Sequence, residues 1–425
     1  MNNKIAIIGG GIAGLTAAYV LHEKHDITLF ERSDRLGGNA YTVTTPEGEE
    51  SDIATALFGG SSYKNVLRLF SKLDIDTVRS FRIRPCKISG PGASFFDLDA
   101  KKGLFLTPRL KGLFAQDFEL LRPDHVKSIL RLVSGLKKAH VLSRQGALEG
   151  LTLEEALGKI PQLRGDAKLM FICCLCLMSS MHCNDVLDAP AGFFFEKLRQ
   201  YHDLMPPRAL FSVRFARNGT KSYIRALSAH YPESIVLNAK IRTVRRQVDR
   251  VLVFTDDGKE LPFDKVIFAC NADQALALLE QPTDEEKRLL GAWKYTEGRI
   301  VVHTDRSRFP KRDLMEGYTF LYQVKGRYIE TSVSGSLRAL PGVSEKSDLI
   351  STQHPNFPIA EEHRVFEKVF RTPLFDFRSC ATIRDLPSLN GVRNTYYCGS
   401  HFGFGLHEDA VTSAIEVSRM LGVEF

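Results

Sequence analysis

Tryptophan occurs once in the 425 residues, and cysteine only eight times. That cysteine density excludes a disulfide-stapled miniature scaffold and reads as free thiols. No apolar run reaches the roughly 20 residues a bilayer-spanning helix needs; the longest is Leu169 to Met178. An apolar strand expected to begin by Lys4 leaves no room for a cleaved leader, so the expected location is cytoplasmic. Internal repeats and low-complexity linkers are also missing. With 44% apolar and 25% charged residues, the chain is neither disordered nor fibrous, and at roughly 150 residues per domain it has length for two or three domains.

A general excess of positive charge is lacking as well. From Lys101 to Arg144 there are ten Lys and Arg against three acids, which accounts for the whole net charge of +7. A local basic surface favours an acidic ligand or an anionic membrane face and argues against a nucleic-acid-coating protein. Within it, 124–144 is amphipathic, with Val126, Ile129, Leu130, Val133 and Leu136 at helical spacing. The neighbouring stretch Gly103 to Phe114 is apolar and basic. Together, 101–144 suits peripheral contact with the inner face of an anionic membrane, or admission of an acyl chain; an ordinary core-facing helix with a solvated basic face fits the same pattern.

What is present begins at the N-terminus. Lys4 to Ile8 reads as a strand, Ile12 to Lys24 as an Ala-rich helix and Ile27 to Phe30 as a second strand. Between the first two lies Gly9-Gly10-Gly11-Ile12-Ala13-Gly14. In this G-x-G-x-x-G, Gly9 permits a tight turn, Gly11 lets the backbone approach a pyrophosphate and Gly14 allows close helix–strand packing. The amides of Ile12 and Ala13 open a helix whose positive end suits phosphate. Glu31 ends the second strand, where it is placed to accept from a ribose diol and to disfavour a 2′-phosphate. Beyond it, Glu31-Arg32-x-x-Arg35-x-Gly37-Gly38-Asn39 offers a second glycine pair for backbone approach and Arg35 for phosphate oxygens. The competing reading is a structural glycine turn with surface arginines.

Further strands are expected at Ile235–Leu237, Ile241–Val244, Val251–Phe254, Lys265–Ala269 and Thr395–Cys398, and a closing helix at about Glu408–Leu421 with Gly422 as C-cap. From Asp52 to about Leu210 the sequence reads as mixed loops and helices. The expected fold class is α/β, a Rossmann-like dinucleotide-binding domain with an interleaved α+β substrate domain. The first would comprise 1–70, 211–290 and 381–425, and the second 71–210 and 291–380.

The chain resembles the flavin-containing amine oxidase superfamily, and more closely its bacterial branch of predicted FAD-dependent oxidoreductases. The blocks carrying the resemblance are Ile5 to Asn39, Arg217-Asn218-Gly219-Thr220, Leu237 to Ile241, Val266 to Asn271, His303-Thr304-Asp305, and Tyr397-Cys398-Gly399-Ser400 through His407-Glu408-Asp409. The resemblance implies FAD as cofactor, backbone contact of Ile241 with adenine, and an isoalloxazine against Gly399, Ser400, Glu408 and Asp409. Glu408 also suits an ordinary helix start. A helix N-terminus there would stabilise the negative charge of reduced flavin. At two places the residues differ from a true amine oxidase: Leu406 stands where an aromatic would help cage the amine, and Asn271, Asp273 and Gln274 occupy the region where a catalytic Lys is expected.

Candidate bases are His401 and His407, which could accept a proton near neutral pH; either also fits a packing role. His303, Asp305 and His354 read as structural. Cys173-Cys174-Leu175-Cys176 with His182 and Cys183 contains a C-x-x-C, but the apolar setting indicates a buried helix rather than a metal site, and no metal is expected. Cys398, in a strand, is not expected to tether the flavin. The resulting expectation is an FAD-dependent oxidoreductase passing hydride from an apolar small molecule, lipid-linked or acidic, to flavin N5. The alternatives are a true flavin amine oxidase and a non-catalytic flavoprotein with a structural or redox-sensing role.

Overall fold

The computed structural model describes residues 2–425 except 46–47, 55–56, 80–81, 85–86, 90–91, 99–101, 107–122, 203–211, 310–316, 327, 341–342 and 345. The first strand, Lys4–Ile8, buries its last four side chains and pairs in parallel with Asp26–Phe30 on one side and Lys265–Phe268 on the other. Ile235–Val236 and Thr395–Tyr397 complete a five-stranded parallel sheet. Near-continuous apolar strands are what a sheet covered on both faces requires. Alternate residues serve different cores: Ile5 and Ile7 pack with Leu15, Ala18 and Val411, while Ala6 and Ile8 pack with Val253, Phe263 and Phe268. The fold is α/β, as the sequence indicates.

The first helix is shorter than its Ala-rich pattern suggests, ending at Leu21. The closing helix is His407–Met420, with Val411, Ala414 and Ile415 buried and Gly422 at φ +80° just beyond its end. An antiparallel sheet of Ile241–Arg246, Val251–Thr255 and Glu260–Phe263 lies beside the parallel one.

The reading of 52–210 as loops and helices needs correction. Thr77–Arg79 pairs with Arg214–Ala216, Arg82–Arg84 with Lys87–Ser89, and Gly92–Asp97 and Lys102–Leu106 form one edge of a seven-stranded sheet. Its other strands are Gly317–Lys325, Tyr328–Ser336, Ile350–Gln353, Lys294–His303 and Arg364–Leu374, in that order. Local pattern failed here because long-range pairing supplies the stability: Gly92–Asp97 lies parallel to Gly317–Lys325, and Phe95 stacks on Phe320 at 4.9 Å.

The basic helix spans Pro123–Arg144, but its packing face is not the one expected from hydrophobicity. Ser128, Gly135 and Ala139 are buried, whereas Val126, Leu130 and Val133 are exposed at 40%, 64% and 45%. At Gly135 the helix lies so close to Leu163 that a Cβ would come within 2.6 Å of that side chain, and Leu132 and Leu136 pack on the core beside it. Of the neighbouring apolar and basic stretch, residues 107–122 lie outside the described ones. No helix among the described residues is long and apolar enough to cross a membrane.

Candidate functional site

The glycine turn is shaped by what side chains would collide with. Gly9 sits at φ +117°, and a Cβ there would meet the Ala269 carbonyl at 2.7 Å; a Cβ on Gly14 would overlap the Gly9 carbonyl. At Gly11 a Cβ would point into open space. Helix geometry leaves the amides of Ile12, Ala13 and Gly14 without intrahelical partners, so open space and donors coincide beside Gly11. The second glycine pair is laid against the first: Gly37 N donates to Gly10 O at 2.8 Å, and a Cβ on Gly38 would lie 3.2 Å from Gly11 Cα. Bare backbone, donor groups and a helix N-terminus are what a pyrophosphate needs, so these residues fit FAD.

Glu31 makes its contacts within the chain. It is buried; Oε2 accepts from Gly10 N at 2.7 Å, and Oε1 accepts from Ser33 N and Oγ at 2.9 and 2.8 Å. It therefore locks the glycine turn to the second strand. Arg35 donates to the carbonyls of Leu36, Ala40 and Gly38 and lies 3.9 Å over the Tyr41 ring, so its guanidinium organises the second glycine loop. Asn39 Nδ2 reaches Arg371 O at 3.1 Å. Arg371 in turn pairs with Asp273 at 2.7 Å, and Gln274, with its amide oxygen turned toward them, accepts from Arg371 and Arg32. Ile241 opens the strand Ile241–Arg246 and is half-buried; the adjoining Ala239 N donates to Glu31 O at 2.8 Å.

At the other end, Gly399 takes φ +153°, where a Cβ would meet the His401 ring at 2.8 Å. Its N–H donates to Ser413 Oγ at 3.0 Å, and Ser400 O accepts from Gly403 and Gly405 N, folding 399–405 into a compact turn. Glu408 Oε1 and Oε2 accept from Asn65 N and Val66 N at 2.8 and 2.9 Å. These are early amides of the helix Lys64–Lys72, whose own N-cap Tyr63 does not cap them through its side chain. Glu408 is thus a cap for a distant helix, and burial raises its pKa. Asp409 folds the turn itself: Oδ2 accepts from Phe404 N and Leu406 N at 3.0 and 2.8 Å, and Oδ1 accepts from Tyr201 OH at 2.8 Å. Burial lifts its pKa to about 6.

The expectation that His401 or His407 titrates near neutrality does not survive. Burial pushes both down to about 4, because an imidazolium loses its hydration there. His407 Nε2 is 2.8 Å from Tyr223 OH. His401 packs against Trp293 and Phe402, and its buried Nε2 has no hydrogen-bond partner among the described residues. Cys398 is fully buried, and burial raises its thiol pKa. His303 and Asp305 belong to the seven-stranded sheet and the loop after it: His303 Nε2 meets Thr352 Oγ1 at 2.7 Å, and Asp305 accepts from Ser307 N. His354 lies 3.9 Å from His182, ring to ring.

A residue the sequence reasoning missed is Lys197, on the helix Ala191–Gln200 and 1% exposed. Its Nζ donates to Met178 O and Phe404 O at 3.0 and 2.9 Å. Burial lowers its pKa to about 8, against the opposing pull of Asp409. The available signal was its position three and four residues after the buried Phe194 and Phe193, on the apolar face of its helix. Around it, Phe193 stacks on Phe375 at 4.5 Å and touches Phe404 at 5.2 Å, and Trp293 meets Phe375 at 5.8 Å. The turn 399–408 is therefore backed by an aromatic wall.

Comparison with known proteins follows the same lines. The sequence pattern of a family described as "Flavin containing amine oxidoreductase" matches residues 12–356. An L-amino-acid oxidase of Siganus canaliculatus is 23% identical over 358 residues, 77% of this chain; the match spans 62% of that relative's length. Among solved structures, a triple mutant of putrescine oxidase superposes with a TM-score of 0.72 at 14% identity, covering 99% of this chain and 98% of that one. A CLA-producing fatty acid isomerase from P. acnes superposes at 0.67 with 15% identity, over 99% and 98% of the two chains. At such identities these superpositions establish the fold alone.

Proposed function

Since the chain belongs to the flavin-containing amine oxidoreductase family, a family of FAD-dependent oxidoreductases, we propose that it takes hydride from an apolar, acyl-chain-like substrate in a desaturation or isomerisation. The observation carrying this reading is the aromatic wall of Phe193, Trp293, Phe375 and Phe404 at the turn 399–408. At Leu406, where the resemblance implies an amine-caging aromatic, this chain carries an aliphatic side chain. The fatty acid isomerase of the same fold gives the substrate class a precedent.

Bound FAD supplies two-electron acceptance at N5. The chain's own contribution is binding and exclusion of water. Gly9, Gly11, Ile12, Ala13 and Gly14, with Gly37, Gly38 and Asn39, are proposed to hold the pyrophosphate end, and Glu31 and Ile241 the adenosine. Arg32 and Arg35 lend charge there, and Gly399, Ser400 and the start of the helix His407–Met420 hold the flavin end. These positions fall in 1–70, 211–290 and 381–425, the proposed FAD-binding part, leaving 71–210 and 291–380 for substrate. His401, packed against Trp293 and Phe402, is proposed to shape the turn rather than to act as a base, because burial that holds its pKa down to about 4 makes it a weak proton acceptor. His407, engaged with Tyr223, is assigned the positioning of the turn.

The exposed stripe Val126, Leu130 and Val133, flanked by Lys127, Arg131, Lys137 and Lys138, is proposed to rest on an anionic bilayer. The complement of apolar stripe and basic flanks is the basis for choosing that occupant.

Anaerobic titration of purified holoprotein, followed by flavin bleaching, tests the function. Bleaching, or conversion of the acyl compound, is expected with unsaturated fatty acids and their esters, and none with a panel of primary amines and amino acids. Rapid bleaching by an amine would favour the amine-oxidase reading that the L-amino-acid oxidase and putrescine oxidase relatives suggest. No turnover with either class would favour a non-catalytic flavoprotein.

A further inference from the structure

The cysteine-rich segment is not used by the flavin site. Cys176 lies near the end of the helix Asp166–Ser179, and Cys183 opens the helix Cys183–Asp188. Their sulfurs are 3.1 Å apart, both nearly buried, at 4% and 2% exposure. Closing to the disulfide length of about 2.05 Å needs a movement of only about 1 Å. Among the described residues, no set of three ligating groups is arranged to hold a metal. Cys183 Sγ also lies 3.1 Å from Thr331 Oγ1, and its neighbour His182 is exposed.

The two thiols are not equivalent. The S–H of Cys176 donated to Cys183 lowers the Cys183 pKa, and burial together with that same bond raises the Cys176 pKa. Thiolate character is what makes a cysteine react with peroxide.

We propose that Cys176 and Cys183 form a reversible disulfide when hydrogen peroxide reaches the protein. The Cys183 thiolate attacks one peroxide oxygen; an S–O bond forms, the O–O bond breaks, and the departing hydroxide is protonated to water. Cys176 then attacks the sulfenic sulfur, the S–S bond forms, and the S–O bond breaks to release a second water that carries the Cys176 proton. The two sulfurs together lose two electrons, which reduce the peroxide. Hydrogen peroxide is the oxidant, and the thiol chemistry does not depend on the function proposed above.

The bond would close a segment that the flavin turn leans on. Between the two cysteines, Met178 O accepts from Lys197 Nζ, which also holds Phe404 O, and Ser180 O accepts from Thr372 Oγ1. Drawing Cys176 and Cys183 together shifts this segment and, through Lys197, the turn 399–405.

The test treats FAD-loaded full-length protein with hydrogen peroxide, followed by unfolding, alkylation and peptide mapping. The expected result is loss of two alkylatable thiols, a linked pair of peptides containing Cys176 and Cys183, reversal by dithiothreitol, and a reversible change in flavin fluorescence. Cys174→Ser should behave like the parent, and Cys183→Ser should show neither link nor fluorescence change. Unlinked thiols, over-oxidised Cys183 without a link, or a link to Cys173 would overturn the site. A Cys176–Cys183 link with unchanged fluorescence would overturn its coupling to the flavin turn. Added peroxide makes these results independent of whether any acyl substrate is turned over.

Discussion

Lys197 Nζ donates to the carbonyl oxygen of Phe404 across 2.9 Å, tying a helix packed among aromatics to the turn that precedes the last helix. The same ammonium donates to Met178 O, and Asp409, which accepts from the amides of that turn, is its nearest compensating charge. A buried cation is tolerable only when its protons are spent and its charge is answered. Two of its three protons go to the carbonyls of Met178 and Phe404, and Asp409 answers its charge.

Replacing Lys197 with Met keeps an unbranched side chain one atom shorter and removes both donations. Two half-buried carbonyls lose partners and the buried Asp409 loses its countercharge, so K197M should destabilise the fold by about 3 kcal/mol. Urea denaturation checks this. FAD retention on gel filtration should also fall, since Phe404 is no longer held.

Two glycine substitutions should separate folding from cofactor binding. At Gly11 a methyl group enters open space, so Gly11→Ala should leave the thermal midpoint of apoprotein nearly unchanged while weakening FAD affinity. At Gly14 the methyl group overlaps the Gly9 carbonyl, so Gly14→Ala should lower the apoprotein midpoint itself. Scanning calorimetry with FAD titration distinguishes the two; equal FAD affinity in Gly11→Ala and parent would contradict the pyrophosphate placement.

His401 is buried, with its pKa pushed from 6.5 to about 4. Between these values the unfolded chain binds more protons than the folded one. The stability from keeping this imidazole neutral is therefore complete above pH 6.5 and is lost as pH falls through about 4. The full range is worth about 3 kcal/mol. His401→Leu should flatten the decline of stability between pH 6.5 and 4, read from chemical denaturation at a series of pH values.

The outward stripe of the helix Pro123–Arg144 predicts a surface phenotype. Leu130 is 64% exposed, so Leu130→Asp should change folding stability by less than about 0.5 kcal/mol. Co-sedimentation with anionic vesicles at low salt should drop several-fold, and high salt should release the parent. Equal sedimentation of parent and variant would rule the stripe out as the contact.

Much of the dinucleotide half is written in short spacings. A strand, three glycines and an acid within Lys4–Glu31 specify the turn because each requirement is local: a tight bend, a missing Cβ, a helix start. The same locality misled at Glu408, expected at the flavin end or as an ordinary first-turn acid, whose carboxylate caps the helix Lys64–Lys72. It misled again over 92–106, where the pairing partner of Gly92–Asp97 lies more than two hundred residues away.

From order and composition alone followed the α/β class, the dinucleotide loop and the burial of the cysteine-rich helix, all consequences of residue type and near-neighbour periodicity. Tertiary folding decided the rest. It held His401 and His407 neutral, turned Leu130 outward while Gly135 packs on Leu163, set Cys176 against Cys183, and brought Lys197 to Phe404. Each of these depends on which distant groups share a low-dielectric interior, and desolvation and side-chain contact arise only once the chain has closed on itself.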